Sequence, residues 1–138
     1  MIQDSKITLL PFFKEDYIII EYDSVNNWIS VDWKGYQTEI SVKTGANKIL
    51  EALIQYKCQK VLNDNTNVVG IWSPAAKWGG TVWVPQMINA GCKYFAWIYS
   101  PSALSQFSTK ETLKNAPTND AFKTFFNINE AKQWLQSV

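Results

Sequence analysis

The sequence contains no histidine. That absence removes the Ser-His-Asp and Cys-His nucleophile systems, a phosphohistidine relay, and the commonest side-chain ligand of zinc and other transition metals. Cysteine is scarce too. Cys58 and Cys92 lie far apart and form no C-x-x-C pattern, so they read as two reduced, buried thiols. Neither sign of charge is in excess, with 13 basic and 12 acidic residues, and the lysines are scattered, which leaves no basic footprint for nucleic acid. No apolar run approaches the roughly 18 residues that span a bilayer. The opening M-I-Q-D-S-K-I-T-L-L-P-F-F-K-E-D carries an early Asp4 and a break at Pro11, unlike a signal peptide. A soluble, cytoplasmic protein without a membrane span is expected. P-loop, G-x-G-x-x-G, G-x-S-x-G and EF-hand spacings are also missing, as are paired carboxylates at useful spacing. No cofactor and no metal is expected, and only carboxylate and lysine chemistry stays open to an enzyme.

What the sequence does hold is apolar and aromatic mass: 46% hydrophobic residues, 14% aromatics and 7 tryptophans in 138 residues, enough to pack one domain. Residues 1–16 read as a lead-in, either irregular or a short edge strand. Y-I-I-I-E-Y-D (17–23) and W-I-S-V-D-W (28–33) read as a hairpin, with Ile29, Val31 and Trp33 on the core face. Val42, Ala46, Ile49, Leu50 and Leu53 form the stripe of an amphipathic helix over 39–57, capped by Thr38 or Ser41. Gly45 weakens that helix or lets it approach the sheet. K-V-L-N-D (60–64) is a short strand.

Ser73-Pro74 then begins a helix that Gly91 ends at its C′ position. Gly79, Gly80 and Pro85 disturb its middle; a kink at Pro85 and a break between Gly79 and Thr81 are both open, and the break is expected. C-K-Y-F-A-W-I-Y (92–99) reads as a strand buried on both faces. A helix follows from residue 100, with Leu104 and Phe107 inward. F-K-T-F-F (122–126) is the last strand, and Asn127 caps a final helix with Ala131, Trp134, Leu135 and Val138 on one face. The order β-β-α-β-α-β-α-β-α demands an α/β fold with a mixed, mostly parallel sheet of four or five strands.

Three stretches, K-V-L-N-D-N-T-N-V-V-G-I-W-S-P (60–74), A-G-C-K-Y-F-A-W-I-Y-S-P-S-A (90–103) and F-K-T-F-F-N-I-N-E-A-K-Q-W-L (122–135), resemble the STAS domain of anti-sigma-factor antagonists. W-I-S-V-D-W-K-G, L-N-D-N and A-G-C-K-Y-F-A-W are similar, more narrowly, to an uncharacterised STAS-like group of Bacteroidetes-type bacteria. The likeness covers residues 17–138, one STAS-like domain. It implies a non-enzymatic regulatory module that acts through contact with a protein partner, with a homodimer possible. It also implies a phosphorylated serine at the start of the second helix, within D-S or D-S-S-G. The matching position here is Ser73, flanked by Trp72 and Pro74, and it reads first as a plain N-cap.

The candidate contact or binding residues gather near that helix start. Trp72, Trp78 and Trp83, with Phe107, are available to line an apolar pocket at a strand end, to make an interface, or simply to pack. Trp33, Trp97 and Trp134 read as core. Asp64 and Asn65, with Asn63 and Asn67, read either as a ligand-orienting cluster or as turn chemistry, the latter favoured. Lys77 is either an anion anchor or a solvated helix lysine. The alternative function is a binder of a small apolar, lipid-like molecule.

Overall fold

The computed structural model describes residues 8–138. Edge strand β1 (Leu9–Glu15) pairs antiparallel with β2 (Ile18–Asp23), and β2 pairs antiparallel with β3 (Trp28–Tyr36). So the edge-strand reading of the lead-in holds from Leu9 onward; residues 1–7 lie outside the described residues. Pro11 sits on the open edge beside a register shift between Pro11 and Phe13, where a missing N–H interrupts no interior ladder. The β2–β3 turn is built by Asp23, whose carboxylate accepts from the backbone N–H of Val25 and Asn26 at 3.0 Å each, while Asn27 takes φ +56°.

From β3 the sheet becomes parallel: β4 (Lys60–Val69), β5 (Tyr94–Ile98) and β6 (Phe122–Phe125) follow in spatial order 1-2-3-4-5-6. The domain is therefore α/β with a six-stranded mixed sheet. That is one strand more than the four or five expected, because β1 joins the hairpin.

Helix α1 (Glu39–Tyr56) starts at Thr38, whose hydroxyl accepts from Ser41 N–H at 3.0 Å while the Ser41 hydroxyl accepts from Thr38 N–H at 2.9 Å. Its stripe lies on the sheet, and Gly45 is what lets it approach. A Cβ there would collide with the Trp33 ring and come within 2.9 Å of Ile18 Cδ1.

The next helix, α2, runs unbroken through residues 73–89. A 3-10 turn (Ser73–Ala75) leads into one α turn (Ala76–Trp78), a π stretch (Gly79–Trp83) and a last α segment (Val84–Asn89). The expected break is absent. Gly79 and Gly80 stay helical, and the bond from Val84 N–H to the Gly79 carbonyl inserts one extra residue into the turn. Pro85 falls one residue after that bond, in the first turn of the new α segment, where its missing N–H costs little.

Helices α3 (Ala103–Lys114) and α4 (Ile128–Ser137) complete the fold. Two cores result. Ile29, Val31, Trp33, Val61, Phe95 and Trp97 point to the α1/α2 side. Trp28, Leu62, Ala96 and Ile98 point to Ala131 and Leu135 of α4 on the other side. This alternation makes β5 the doubly buried strand expected of its apolar run. No helix among the described residues is long and apolar enough to cross a membrane.

A tryptophan-lined candidate site at the carboxyl end of the sheet

β3, β4 and β5 all end at one side of the molecule, where α2 begins. Strand alternation sends Trp33, Asn63 and Trp97 to the same face there. Past Asp64 the register slips, so that Asp32 pairs with Asp64 but Lys34 pairs with Asn67. Asn65, two residues after Asn63, shares that face by alternation, and the bulge that follows brings Val68 back to it. Above them α2 contributes Trp72, Ala75, Trp78, Gly79 and Trp83, α1 contributes Val42 and Ala46, and α3 contributes Thr112.

The space they leave is a cavity of about 40 Å³, partly open to solvent. Trp33, Trp72, Trp78, Trp83 and Trp97 all line it, and its wall carries no charged side chain among the described residues. Trp72 stacks on Trp97 (6.2 Å, 10°), and Trp83 meets Trp97 edge-on (6.4 Å, 86°).

The indoles are held by hydrogen bonds. Trp33 Nε1 donates to Asn63 Oδ1 at 2.8 Å, and Asn63 Nδ2 donates to Asn65 Oδ1 at 3.4 Å. Trp83 Nε1 donates to the Ala46 carbonyl at 2.8 Å, and Trp72 Nε1 to Ser105 Oγ at 3.3 Å. Trp97 Nε1 and the buried Thr109 hydroxyl have no partner.

The buried face of α3 explains how α2 comes close enough to close the cavity. That face is Ser105, Ser108, Thr109 and Thr112, not Leu104 and Phe107, which are exposed. The expected inward pair is thus inverted. Large residues there would hold α2 away, whereas small hydroxyls let Gly79 and Gly80 in. A Cβ on Gly80 would strike the Thr112 carbonyl oxygen and sit 2.8 Å from Asn115 Cβ. The hydroxyls also supply bonds, Ser108 Oγ accepting from Trp72 N–H at 2.9 Å. Apolar periodicity cannot detect an interface built this way.

The remaining candidates separate. Ser73 does not cap α2: Trp72 holds that position, and Ser73 Oγ pairs with Ser108 Oγ at 3.1 Å instead. The N-cap reading of Ser73 is therefore corrected by the pull of α3. Asn63 and Asn65 are not turn residues; they are buried within β4, where the Trp33 indole needs an acceptor. Asp64 points to the opposite sheet face and accepts from Thr66 N–H at 2.9 Å, a short Asx motif within the strand. Lys77 is exposed and Phe107 lies outside the cavity wall. Trp33 and Trp97, which read as core, join the wall, as do Gln37 from the β3–α1 connection and Thr112 of α3, which no sequence pattern marks.

Both thiols are free and buried. Burial pushes Cys58 up to about 11 and Cys92 up to about 12, which makes both poor nucleophiles. Among the described residues no group of three or more His, Cys, Asp or Glu comes together to hold a metal ion. Comparison of the chain with protein-family models, with curated proteins and with solved structures returns no match.

Proposed function

We propose that this protein is a small-molecule-binding module of STAS-like fold, and that the cavity between β3–β5 and α2 is its site. The observation that carries the reading is the wall itself: five indoles and two buried asparagines converge at the carboxyl ends of parallel strands. Ligands of α/β sheets collect at that end. A cavity of about 40 Å³ has room for a small polar group or the edge of a ring entering from the open side, not for an acyl chain, which narrows the lipid-like alternative. Native mass spectrometry of freshly purified protein, beside a denaturing spectrum, tests it. Non-covalent extra mass that vanishes on denaturation is the expected result. A bare protein that also shows no thermal shift across a library of small aromatic compounds would sink the reading.

Regulation by protein contact is the second reading, supported by the STAS resemblance and by the rim of the same end. Tyr36 is 80% exposed, Ile40 78%, Leu104 55%, and Ile71 and Phe107 49% each. Exposed apolar side chains in such number mark interaction surfaces when they are contiguous. An Ile71→Asp, Leu104→Asp double variant should abolish partner capture while leaving the thermal midpoint within about 2 °C. Unchanged capture would count against it.

A further inference from the structure

The polarity of the cavity's hydrogen-bonding groups specifies the kind of ligand. The Trp33 indole N–H is a donor only, so the Asn63 atom that receives it, at 2.8 Å, is the amide oxygen. That leaves the Asn63 amide nitrogen to face Asn65, so the Asn65 atom at 3.4 Å is also an oxygen. The Asn65 NH₂ is then turned away from its neighbour, and no described residue accepts from it. Trp97 Nε1 is a second donor without a partner. Both side chains are 4% exposed and both line the cavity. Trp97 Nε1 is closed off inside the wall, which leaves the Asn65 NH₂ as the donor that an acceptor on a bound molecule can reach.

The wall also constrains charge. No lysine or arginine lines the cavity to neutralise an anion, and no carboxylate lines it to pair with a cation. Burying an unpaired ion is strongly unfavourable. The stacked and edge-on indoles offer flat surfaces suited to a ring. Resting on the ligand-binding reading, we infer that the site takes an uncharged heteroaromatic or cyclic amide whose carbonyl or ring nitrogen enters from the open side and accepts from Asn65 Nδ2.

The indole N–H resonances of ¹⁵N-labelled protein provide the test, with four small probes: nicotinamide (neutral, with acceptors), toluene (no acceptor), N-methylpyridinium (cation) and benzoate (anion). Trp97→Phe assigns the key resonance. Nicotinamide should shift the Trp97 indole N–H saturably. Asn65→Asp keeps the oxygen that Asn63 needs but replaces the free donor by an acceptor, and should weaken nicotinamide at least about tenfold. If Asn65→Asp does not fold, the probe ranking on the unaltered protein still decides. Toluene binding as well as nicotinamide, or saturable binding of only the cation or only the anion, overturns the ligand class and leaves a binding cavity in place. No movement of any cavity indole with any probe up to about 10 mM overturns both the class and the binding reading.

Discussion

On one face of the sheet, α4 lays Ala131 and Leu135 over Trp28, Leu62, Ala96 and Ile98. On the other, α1 and α2 cover the strands with indoles that need hydrogen-bond acceptors, and α2 itself carries a π stretch and two glycines pressed on α3. The first face is closed by apolar area, with Lys60 Nζ of β4 donating to the Leu135 and Val138 carbonyls at 2.6 and 2.7 Å, and its buried side chains ask for no polar partner apart from the Trp28 indole. The second encloses a cavity, a relay of amides and an indole N–H with nothing to bond. Proteins tend to concentrate local irregularity where they bind. The contrast therefore separates a supporting face from a working one, and it makes claims that substitution can break.

The largest effect should come from the supporting face. Leu135 is fully buried, and Leu135→Ala should cost about 2–5 kcal/mol in chemical denaturation. Any binding measured at the cavity should survive it, because the six-stranded sheet lies between the two. A loss of binding without loss of stability would erase the division.

Gly80→Ala comes next. Its new methyl group meets a backbone carbonyl, which cannot rotate away, so a destabilisation of about 3 kcal/mol is expected. Unlike Leu135→Ala, it should also move α2 and change the emission of the cavity indoles. Stability loss with unaltered tryptophan fluorescence would mean that the π stretch does not position them.

The two faces were also unequally legible from sequence. The supporting face follows simple periodicities: Ala131 and Leu135 at helical spacing, Ala96 and Ile98 at strand spacing. The core half of the working face was legible for the same reason, through Ile29, Val31 and Trp33 and through the stripe of α1. Its site half was not. Asn63 falls within the strand expected over 60–64, but Asn65 carries the residue type of a turn, and only the tertiary demand of the Trp33 N–H explains why both amides are buried. Ser105, Ser108 and Thr112 look like the solvent side of α3, so the apolar pattern points Leu104 and Phe107 inward. The Gly79-Gly80 pair reads as a break unless the close approach to Thr112 is known. Interfaces built from small polar residues hide from hydrophobic patterning, and here they coincide with the candidate site.

Asn63→Ala sharpens the comparison by cutting the amide relay. It leaves the Trp33 indole N–H buried without an acceptor and releases Asn65, at a cost of about 2 kcal/mol. Asn63→Asp retains the acceptor oxygen and should recover part of that loss at acidic pH, where the carboxyl is neutral. Equal destabilisation by both at all pH values would show that the relay is incidental to packing.

The smallest effect near neutrality is a pH response confined to the working face, which holds both thiols. Cys92 is pushed up to about 12 from a reference of 9.0 by burial, which outweighs the opposing pull of a hydrogen bond from the Tyr94 backbone and is helped a little by the charge that Cys58 would carry. An acid whose pKa is higher in the folded than in the unfolded chain binds its proton more tightly when folded. Its stabilisation is complete below pH 9 and drains away as pH rises from 9 towards 12. Between pH 8 and 9.5 the loss from Cys92 should be about 1 kcal/mol, measured by denaturation at each pH. Lysines and tyrosines titrate in the same range, so the decisive quantity is the difference between the protein and Cys92→Ala. Cys92→Ala is destabilised at pH 8 by the methyl-sized void it leaves, and the gap should narrow steadily as pH rises. A gap that stays constant to pH 10.5 would mean that Cys92 ionises as readily in the folded chain as in the unfolded one, and that this core admits water that the supporting face excludes.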